Sequence, residues 1–250
     1  MSGGISQARL LPLRLLGLLG ETMRAMIKRP PSLARLLDQM HNIGNRSLVF
    51  ISVTLGFLGL ISVYQGSIQA QKVLPDLSMV GATFINVMIS EFGPTITALM
   101  IATRVGSGIA AELGAMVVTE QVEALKMTNT DPIEFVVVPR FIATVIMMFV
   151  MTVYGVLVAV LAGMVIADLR FQVNPSTFLS LGMTGWSDLC VGLIKCFAYG
   201  VAIPIIAADA GFHASGGSEG VGQATTRAVV NTLFAVIILD FIIAGGWYLL

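Results

Sequence analysis

Long apolar stretches separated by short polar segments make up most of this chain. Within five of them, at least 20 consecutive residues contain no more than one charged side chain. A helix needs about 20 such residues to cross a bilayer, and in lipid it satisfies its own backbone hydrogen bonds. The pattern therefore predicts an all-α membrane protein with spans at about residues 47–70, 80–106, 133–167, 188–208 and 228–249.

The composition agrees with this prediction and narrows the chemistry. Hydrophobic residues make up 56% of the chain and charged residues 11%, and the formal net charge is +0, so no nucleic-acid partner is expected. The two cysteines, Cys190 and Cys196, share one predicted span and lack the spacing of a disulfide or a metal site. The N-terminus lacks the single apolar core of a cleaved signal peptide.

The basic residues favour one orientation of the spans. If the sides of the membrane alternate along the chain, the N-terminal side receives Arg9, Arg14, Arg24, Lys28, Arg29, Arg35, Arg46, Arg104, Lys126, Arg140 and Arg227. The opposite side receives only Lys72 and Arg170. Because segments rich in lysine and arginine remain in the cytoplasm, the N-terminus is expected inside and the C-terminus outside.

The first 45 residues contain no span and are expected to lie at the cytoplasmic face. Pro30 and Pro31 break the leucine- and arginine-rich segment at the start, and Ser32 can cap a second helix. The apolar residues of this second helix recur at helical spacing: Leu33, Leu36, Leu37, Met40 and Ile43. The pattern predicts an amphipathic helix in the membrane interface ahead of the spans, and a helix packed on another subunit is the alternative.

The segment between spans 2 and 3, residues 106–130, combines an acidic face with apolar positions. Its acidic residues are Glu112, Glu120 and Glu123, and Leu125 is one of the apolar residues. A moderately apolar helix with an acidic face, held between two spans, is suited to docking a partner, and an ordinary solvated loop helix is the alternative. Asp131 and Pro132 are expected to begin the next helix as its N-cap and first residue.

Small residues recur every four positions in two spans, and such ridges allow helix backbones to approach closely in lipid. The ridges are Ala98, Ala102, Gly106, Ala110 and Gly114 in span 2, and Gly155, Ala159, Gly163 and Ala167 in span 3. Tight packing of these two spans is therefore expected, within or between protomers. Pro94 and Pro204 are expected to loosen or kink spans 2 and 4.

Three charged residues, Glu91, Lys195 and Asp240, lie deep inside the spans, where charge is costly and usually faces protein or a cavity. At about 1.5 Å per helical residue, Lys195 and Asp240 lie roughly 18–20 Å from the cytoplasmic boundary, and Glu91 lies at a similar height. Lys195 and Asp240 are predicted to form an ion pair, which either fixes the register of their helices or lines a substrate path. Glu91 has no partner evident from the sequence and is predicted to face a cavity.

The glycine-rich loop at residues 209–228 resembles a phosphate-binding loop only superficially. It lacks the Gly-Lys-Ser/Thr ending and a preceding strand, so a turn leading to a helix cap at Thr225 or Thr226 is expected instead. His213 in this loop and His41 are the two histidines of the chain, and neither is expected to carry chemistry.

Two long motifs identify the family that the chain resembles. The first joins Glu91-Phe-Gly-Pro94, Arg104-Val-Gly-Ser-Gly-Ile-Ala-Ala-Glu-Leu-Gly114, Thr119-Glu-Gln-Val-Glu-Ala-Leu125, Asp131-Pro132 and Pro139-Arg140. The second is Gly217-Ser-Glu-Gly-Val-Gly-Gln-Ala-Thr-Thr-Arg227 with Val229-Val230. From about residue 35 to the end, the chain closely resembles the MlaE-type permeases of bacterial lipid-transport ABC systems.

The resemblance implies a permease domain over residues 46–250 that forms a homodimer in the bacterial inner membrane. It implies MlaF-type ATPase subunits that bind ATP and Mg²⁺, so no cofactor is expected in this chain. An MlaD-type ring of MCE domains, an MlaB-type STAS protein and phospholipid are the other implied partners. The implied function is movement of phospholipid between the inner membrane and a periplasmic carrier route, which maintains outer-membrane lipid asymmetry.

The resemblance also implies roles for individual residues. The segment at residues 111–128 looks like the coupling helix that the ATPase receives. The candidate coupling residues are Glu112, Glu120, Glu123 and Leu125. Glu91 looks like a lining residue of the lipid cavity at the dimer interface. The other candidate cavity residues are Tyr64, Gln65 and Leu99.

Two other classes of protein are the alternatives. A stand-alone secondary transporter would use Glu91, Lys195 and Asp240 as a proton relay, but five spans do not divide into the two equal halves of an inverted repeat. A membrane-embedded enzyme would need a Ser/His/Asp set, a metal cluster or clustered catalytic carboxylates, and the sequence shows none of these.

Overall fold

The computed structural model describes residues 3–72, 77–180 and 182–248, in which all regular structure is helical. These ranges contain the helices α1 (Gly3–Lys28), α2 (Leu33–Gln71), α3 (Ser78–Val87), α4 (Gly93–Ile101), α5 (Ser107–Val118), α6 (Gln121–Met127), α7 (Val138–Phe171), α8 (Pro175–Phe178), α9 (Trp186–Phe212) and α10 (Gly217–Tyr248). Three π-helical turns interrupt this order. Met88–Phe92 connects α3 to α4, Ala102–Gly106 connects α4 to α5, and Ile133–Val137 precedes α7. Leu249, the end of the fifth predicted span, lies outside the described residues.

Five helical segments of the described chain are long and apolar enough to cross a membrane. They are Leu33–Gln71, Met79–Val118, Ile133–Phe171, Trp186–Phe212 and Gly217–Trp247. The all-α membrane class and the number of spans are therefore confirmed. Span 2 consists of α3, α4 and α5 with two of the π-helical turns between them, and span 3 consists of the third π-helical turn and α7.

Two helix boundaries differ from those expected. The amphipathic segment after Pro31 does not end before span 1, because α2 continues unbroken from Leu33 to Gln71. The last helix starts at Gly217, so a cap at Thr225 or Thr226 is wrong. The hydroxyls of both threonines instead donate to carbonyl oxygens four residues earlier in α10, at 2.7 and 3.1 Å.

Span 2 departs from a regular helix next to Pro94, as expected. A proline has no N–H to donate, and its ring clashes with the carbonyl four residues earlier in a regular helix. The π-helical turn Met88–Phe92 lies directly before Gly93 and Pro94, and the Gly93 N–H donates to the Met88 carbonyl five residues back. The turn adds a residue to the helix, which rotates the side chains on either side of it relative to a regular register.

The span 3 N-terminus forms as expected. The Asp131 carboxylate accepts a hydrogen bond from the Ile133 N–H at 2.9 Å. Asp131 thereby satisfies one of the backbone donors that a helix start leaves without a partner.

The described residues form two compact units. The first draws on residues 3–43, 101–147 and 199–237, and the second draws on residues 44–72, 77–100, 148–180, 182–198 and 238–248. In the first unit Ile101, Leu113, Val138, Tyr199 and Ile203 are fully buried. In the second unit Ile51, Leu55, Met88 and the side chain of Lys195 are fully buried.

Close packing in the second unit depends on glycines at the contact between α2 and α7. A side chain on Gly59 would overlap the backbone of Ala159, and one on Gly155 would overlap the Leu55 side chain. The small-residue ridges of spans 2 and 3 are buried along their whole length, as predicted. Because lipid gives apolar helices no hydrophobic reason to associate, such close backbone approach supplies the packing energy.

Gly59→Ala is expected to destabilise the protein, whereas Gly56→Ala is not. A methyl group at residue 59 meets backbone atoms that cannot rotate away, and overpacking of this kind costs about 1–3 kcal/mol. A methyl group at residue 56 meets only the Val158 side chain, at an ordinary 3.6 Å. Thermal unfolding of both purified variants in one detergent measures the difference, and equal midpoints would contradict this account of the contact.

Candidate functional site

A cluster of three charged side chains lies inside the spans of the second unit. Lys195 is at its centre and its side chain is 0% exposed. The Lys195 ammonium lies 2.8 Å from Asp240 Oδ1, so the pairing predicted for these two residues is present. The same ammonium also contacts the Glu91 carboxylate. A buried ammonium is tolerated in a span because carboxylates compensate its charge.

Glu91, for which the sequence shows no evident partner, pairs with Lys195 in the structure. Glu91 belongs to the π-helical turn Met88–Phe92, where the extra residue changes the direction of the side chains relative to a regular helix. A constant rise along the helix puts Glu91 at the height of Lys195 but does not determine the direction of its side chain. Sequence spacing alone therefore could not show that the two residues meet.

Two further contacts determine the geometry of the cluster. The Thr95 hydroxyl, on α4, donates to Asp240 Oδ1 at 3.0 Å. Gly192 lies on α9 one turn before Lys195, and a side chain there would overlap the Ile89 carbonyl in the π-helical turn. The absence of a side chain at residue 192 therefore lets α9 approach the turn that carries Glu91.

The three members of the cluster differ in exposure. Lys195 is fully buried, whereas the side chains of Glu91 and Asp240 are 28% and 27% exposed. With all three groups ionised, the cluster has one more negative than positive charge. A group that reaches the exposed edges therefore meets carboxylate oxygens, which accept hydrogen bonds and attract cations.

The other predicted cavity residues lie on two helices of the same unit. Tyr64 and Gln65 are exposed on α2, and the Tyr64 ring packs against Phe171 with a centroid distance of 5.8 Å. Leu99 is half-buried on α4. Their role in substrate binding stays a prediction, as does that of Glu91.

An apolar groove of about 240 Å³ opens beside the cluster in the second unit. Its walls come from the π-helical turn, α7 and α9, and include Ile89, Phe149, Val156 and Leu193. Its polar side chains are Thr152 and Cys196, which contact each other at 3.4 Å. The groove thus offers apolar surface to a ligand and leaves few polar groups without partners.

The predicted docking helix is divided into two helices in the structure. α5 ends at Val118, and Glu120 adopts a left-handed conformation with φ of 60° before α6 begins at Gln121. Glu120 and Glu123 are exposed, Leu125 is half-buried, and Val122 anchors α6 in the first unit. The continuous helix expected over this segment is therefore wrong, although its acidic residues remain accessible on a short helix and the turn before it.

Glu112 is placed differently from the other three candidate coupling residues. It lies on α5, and its carboxylate pairs with Arg140 at 2.5 Å. The Glu112 side chain remains 63% exposed, whereas the Arg140 side chain is 13% exposed. Glu112 therefore compensates a largely buried arginine and also presents an accessible edge.

One contact in the first unit has no counterpart in the sequence analysis. The Arg14 guanidinium donates to both carboxylate oxygens of Asp209, at 2.8 and 2.9 Å, and lies 2.9 Å from His213 Nδ1. These residues join α1 to the end of α9. Arg14 and Asp209 are 195 positions apart, and no periodic pattern in a single sequence connects them.

Comparison with known proteins identifies the relatives of this chain. The family described as Permease MlaE matches residues 36–245. A probable ABC transporter permease protein of Synechocystis is 35% identical over 210 residues, which cover 83% of this chain and 80% of the relative. The intermembrane phospholipid transport system permease protein MlaE of Haemophilus influenzae is 34% identical over 213 residues, which cover 84% of this chain and 81% of the relative. A probable ABC transporter permease protein of Rickettsia typhi is 33% identical over 221 residues, which cover 88% of this chain and 85% of the relative. The chain, with its five apolar spans, therefore belongs to the MlaE family of ABC transporter permeases.

Proposed function

We propose that this permease moves phospholipid between the inner membrane and a periplasmic carrier route, and that this transport maintains outer-membrane lipid asymmetry. The observation that carries the proposal is the similarity, over 84% of the chain, to a permease named for intermembrane phospholipid transport. The charge cluster supports it, because a polar group held inside apolar spans suits a substrate with a polar headgroup and apolar chains.

In this proposal the protein is a homodimer in the bacterial inner membrane, with a cytoplasmic N-terminus and a periplasmic C-terminus. The distribution of lysine and arginine supports this orientation. A separate MlaF-type ATPase binds ATP and Mg²⁺, an MlaD-type ring of MCE domains lies on the periplasmic side, and an MlaB-type STAS protein completes the complex. The chain itself carries no cofactor.

The two roles proposed for residues divide between the two units. Glu91, with Tyr64, Gln65 and Leu99, lines the lipid path in the second unit. Glu120, Glu123 and Leu125 contact the ATPase in the first unit, and Glu112 contributes its exposed edge. Exposure of the acidic residues supports this division, because a docking surface must be accessible in the permease alone.

One observation favours a second candidate function, a stand-alone secondary transporter. Glu91, Lys195 and Asp240 gather at one place, as a proton relay requires. Reconstitution separates the two candidates. Lipid transfer that needs ATP and the ATPase but no proton gradient supports the ABC permease, and transfer driven by a gradient alone supports the secondary transporter.

Glu91→Gln is expected to impair lipid transfer more than folding. The change keeps the size of the side chain but removes the charge from one exposed edge of the cluster. Transfer of labelled phospholipid by the reconstituted complex measures the effect, and Asp168→Asn, which changes an exposed acid outside the cluster, is the matched control. Normal transfer by Glu91→Gln and Glu91→Ala would make Glu91 a structural residue.

Lys195→Met is expected to destabilise the protein more than Asp240→Asn. Loss of the lysine leaves two partly buried carboxylates uncompensated, and removal of one partner from a buried ion pair costs about 3–5 kcal/mol. Loss of Asp240 leaves Lys195 paired with Glu91, so the cost is smaller. Thermal unfolding in detergent measures both variants beside Lys72→Met, an exposed lysine. Equal losses for the two cluster variants would show that Lys195 is not the shared partner.

Glu120→Lys with Glu123→Lys is expected to detach the ATPase while the permease remains in the membrane. The double change reverses the charge of the exposed surface at α6 without altering its buried anchor, Val122. Co-purification of the ATPase at ordinary salt measures the effect. Glu219→Lys reverses an exposed acid at the start of α10 and controls for charge reversal at another exposed position. Undiminished co-purification with the double variant would place the docking surface elsewhere.

A further inference from the structure

A pocket of about 200 Å³ in the first unit is separate from the charge cluster and from α6. It lies between the N-terminal part of α2, the end of α5 and the beginning of span 3. Met116, Val136 and Pro139 form an apolar wall, and the polar side chains around it include Arg35, Asp38 and Arg140. Pockets for drug-sized ligands span about 300–1,000 Å³, so this one suits a smaller polar group.

The two arginines of the pocket differ in how their donors are used. The Arg140 guanidinium is largely buried and already donates to Glu112 and to the Val136 carbonyl. Arg35 is exposed, and none of the ion pairs among the described residues includes it. Its guanidinium carbon lies 4.3 Å from the centre of the Phe135 ring. The aromatic face therefore holds the Arg35 guanidinium in place and leaves its N–H donors for a ligand.

Asp38 supplies an opposite charge in the same pocket. It lies three residues after Arg35 on α2, a spacing that places two side chains on one face of a helix. The described ion pairs do not include Asp38 either, so the two side chains are not neutralising each other in the structure. Beside Arg140, which is paired with Glu112, the pocket thus presents one cation and one anion that belong to none of the described ion pairs, with an apolar wall beside them.

The position of the pocket along the chain places it near the ends of two spans. α2 continues from Arg35 into span 1, and Phe135 belongs to the π-helical turn at the start of span 3. Leu33 and Leu37 precede and follow Arg35 by two residues, so they lie on the opposite face of α2, and they are 74% and 55% exposed. Exposed leucines on one face and charged residues on the other are typical of a helix at a membrane interface, where basic pockets at the ends of spans bind lipid headgroups.

We propose that this pocket binds the zwitterionic phosphodiester headgroup of an amine-bearing phospholipid, phosphatidylethanolamine being the simplest example. Arg35 donates to the phosphate oxygens, because the guanidinium fork matches their geometry. Asp38 accepts from the ammonium group, which distinguishes this headgroup from that of phosphatidylglycerol, whose glycerol moiety carries no positive charge. The assignment of the site to the cytoplasmic leaflet rests on the orientation proposed above, but binding itself does not.

Native mass spectrometry of the purified full-length permease tests the proposal without ATP or partner subunits. Phosphatidylethanolamine and phosphatidylglycerol with identical acyl chains are titrated separately. Arg35→Gln is expected to weaken binding of phosphatidylethanolamine about tenfold, because charge-assisted hydrogen bonds to the phosphate are lost. Asp38→Asn is expected to abolish the preference over phosphatidylglycerol. Arg29→Gln changes a nearby exposed arginine that pairs with Glu134, and it is expected to leave binding unchanged.

Several outcomes would overturn the proposal. Equal loss of binding in Arg35→Gln and Arg29→Gln would show a general effect of surface charge. Full displacement of the lipid by millimolar phosphoethanolamine or inorganic phosphate would identify a site for a soluble anion. Unchanged lipid binding in Arg35→Gln, with loss of the co-purifying ATPase, would show that Arg35 pairs with an acidic residue of the ATPase.

Arg35→Lys keeps the charge but not the fork of N–H donors, and retention of an intermediate affinity would support the proposed geometry.

These lipid-binding results are independent of the proposed transport function. A permease that binds phosphatidylethanolamine through Arg35 but transports another substrate would leave the pocket assignment intact. A permease that transports phospholipid but binds it equally well without Arg35 would leave the transport function intact. Size-exclusion profiles identical to that of the unmodified protein show that each variant is folded before its lipid binding is compared.

Discussion

The burial of the Lys195 ammonium is the constraint on which the second unit depends. An ammonium group without a partner is among the costliest groups to place inside a span. Here it is accommodated by carboxylates from two other spans, Glu91 of span 2 and Asp240 of span 5. Because each pairing requires close contact, a shift of any of these three spans by one residue would leave a charge uncompensated. The cluster therefore fixes the register of the spans that carry it.

This register depends in turn on local features that contain no charge. Gly192 allows α9 to lie against the carbonyl of Ile89. Lys195 comes three residues after Gly192, and Glu91 comes two residues after Ile89, so this contact brings the two charged side chains near each other. The π-helical turn before Pro94 determines the direction of the Glu91 side chain. Thr95, directly after Pro94, donates to Asp240. Gly192, Pro94 and the π-helical turn before Pro94 thus bring together Glu91 and Lys195, which are more than 100 positions apart in the chain.

The number of spans and the buried ridges could be predicted because each span and each ridge is recognised within one helix, without knowledge of its neighbours. Apolar length and the spacing of small residues can be read along the chain, and the structure contains both. The Lys195–Asp240 pairing could also be predicted, because α9 and α10 contain no π-helical turn between the membrane boundary and the charge, and α9 continues through Pro204. Glu91 could not be assigned a partner, because a π-helical turn breaks the regular spacing on which such estimates depend.

Other features could not be predicted because the sequence contains no strong signal for them. Gly44 and Asn45 are weak helix formers, yet α2 passes through them, since two such residues do not outweigh the long helix on either side. Glu120 adopts a left-handed conformation that few residues other than glycine favour, so its identity gave no indication of a turn. The contact of Arg14 with Asp209 joins distant segments and depends on the tertiary fold alone.

The unequal burial of the charge cluster constrains how it can interact with a phospholipid. The cation is fully buried, and the exposed edges belong to the two carboxylates. A phosphate group approaching these edges is repelled by them, whereas an ammonium group or a hydroxyl can donate hydrogen bonds. The cluster is therefore unsuited to direct binding of phosphate through Lys195, unless one carboxylate moves away from it. Such a movement would expose the lysine only while a ligand or another protein group replaced the lost ion pair, because the uncompensated ammonium is costly in a span. Under the proposed transport function, phosphate would reach Lys195 only if the spans that carry Glu91 and Asp240 rearranged.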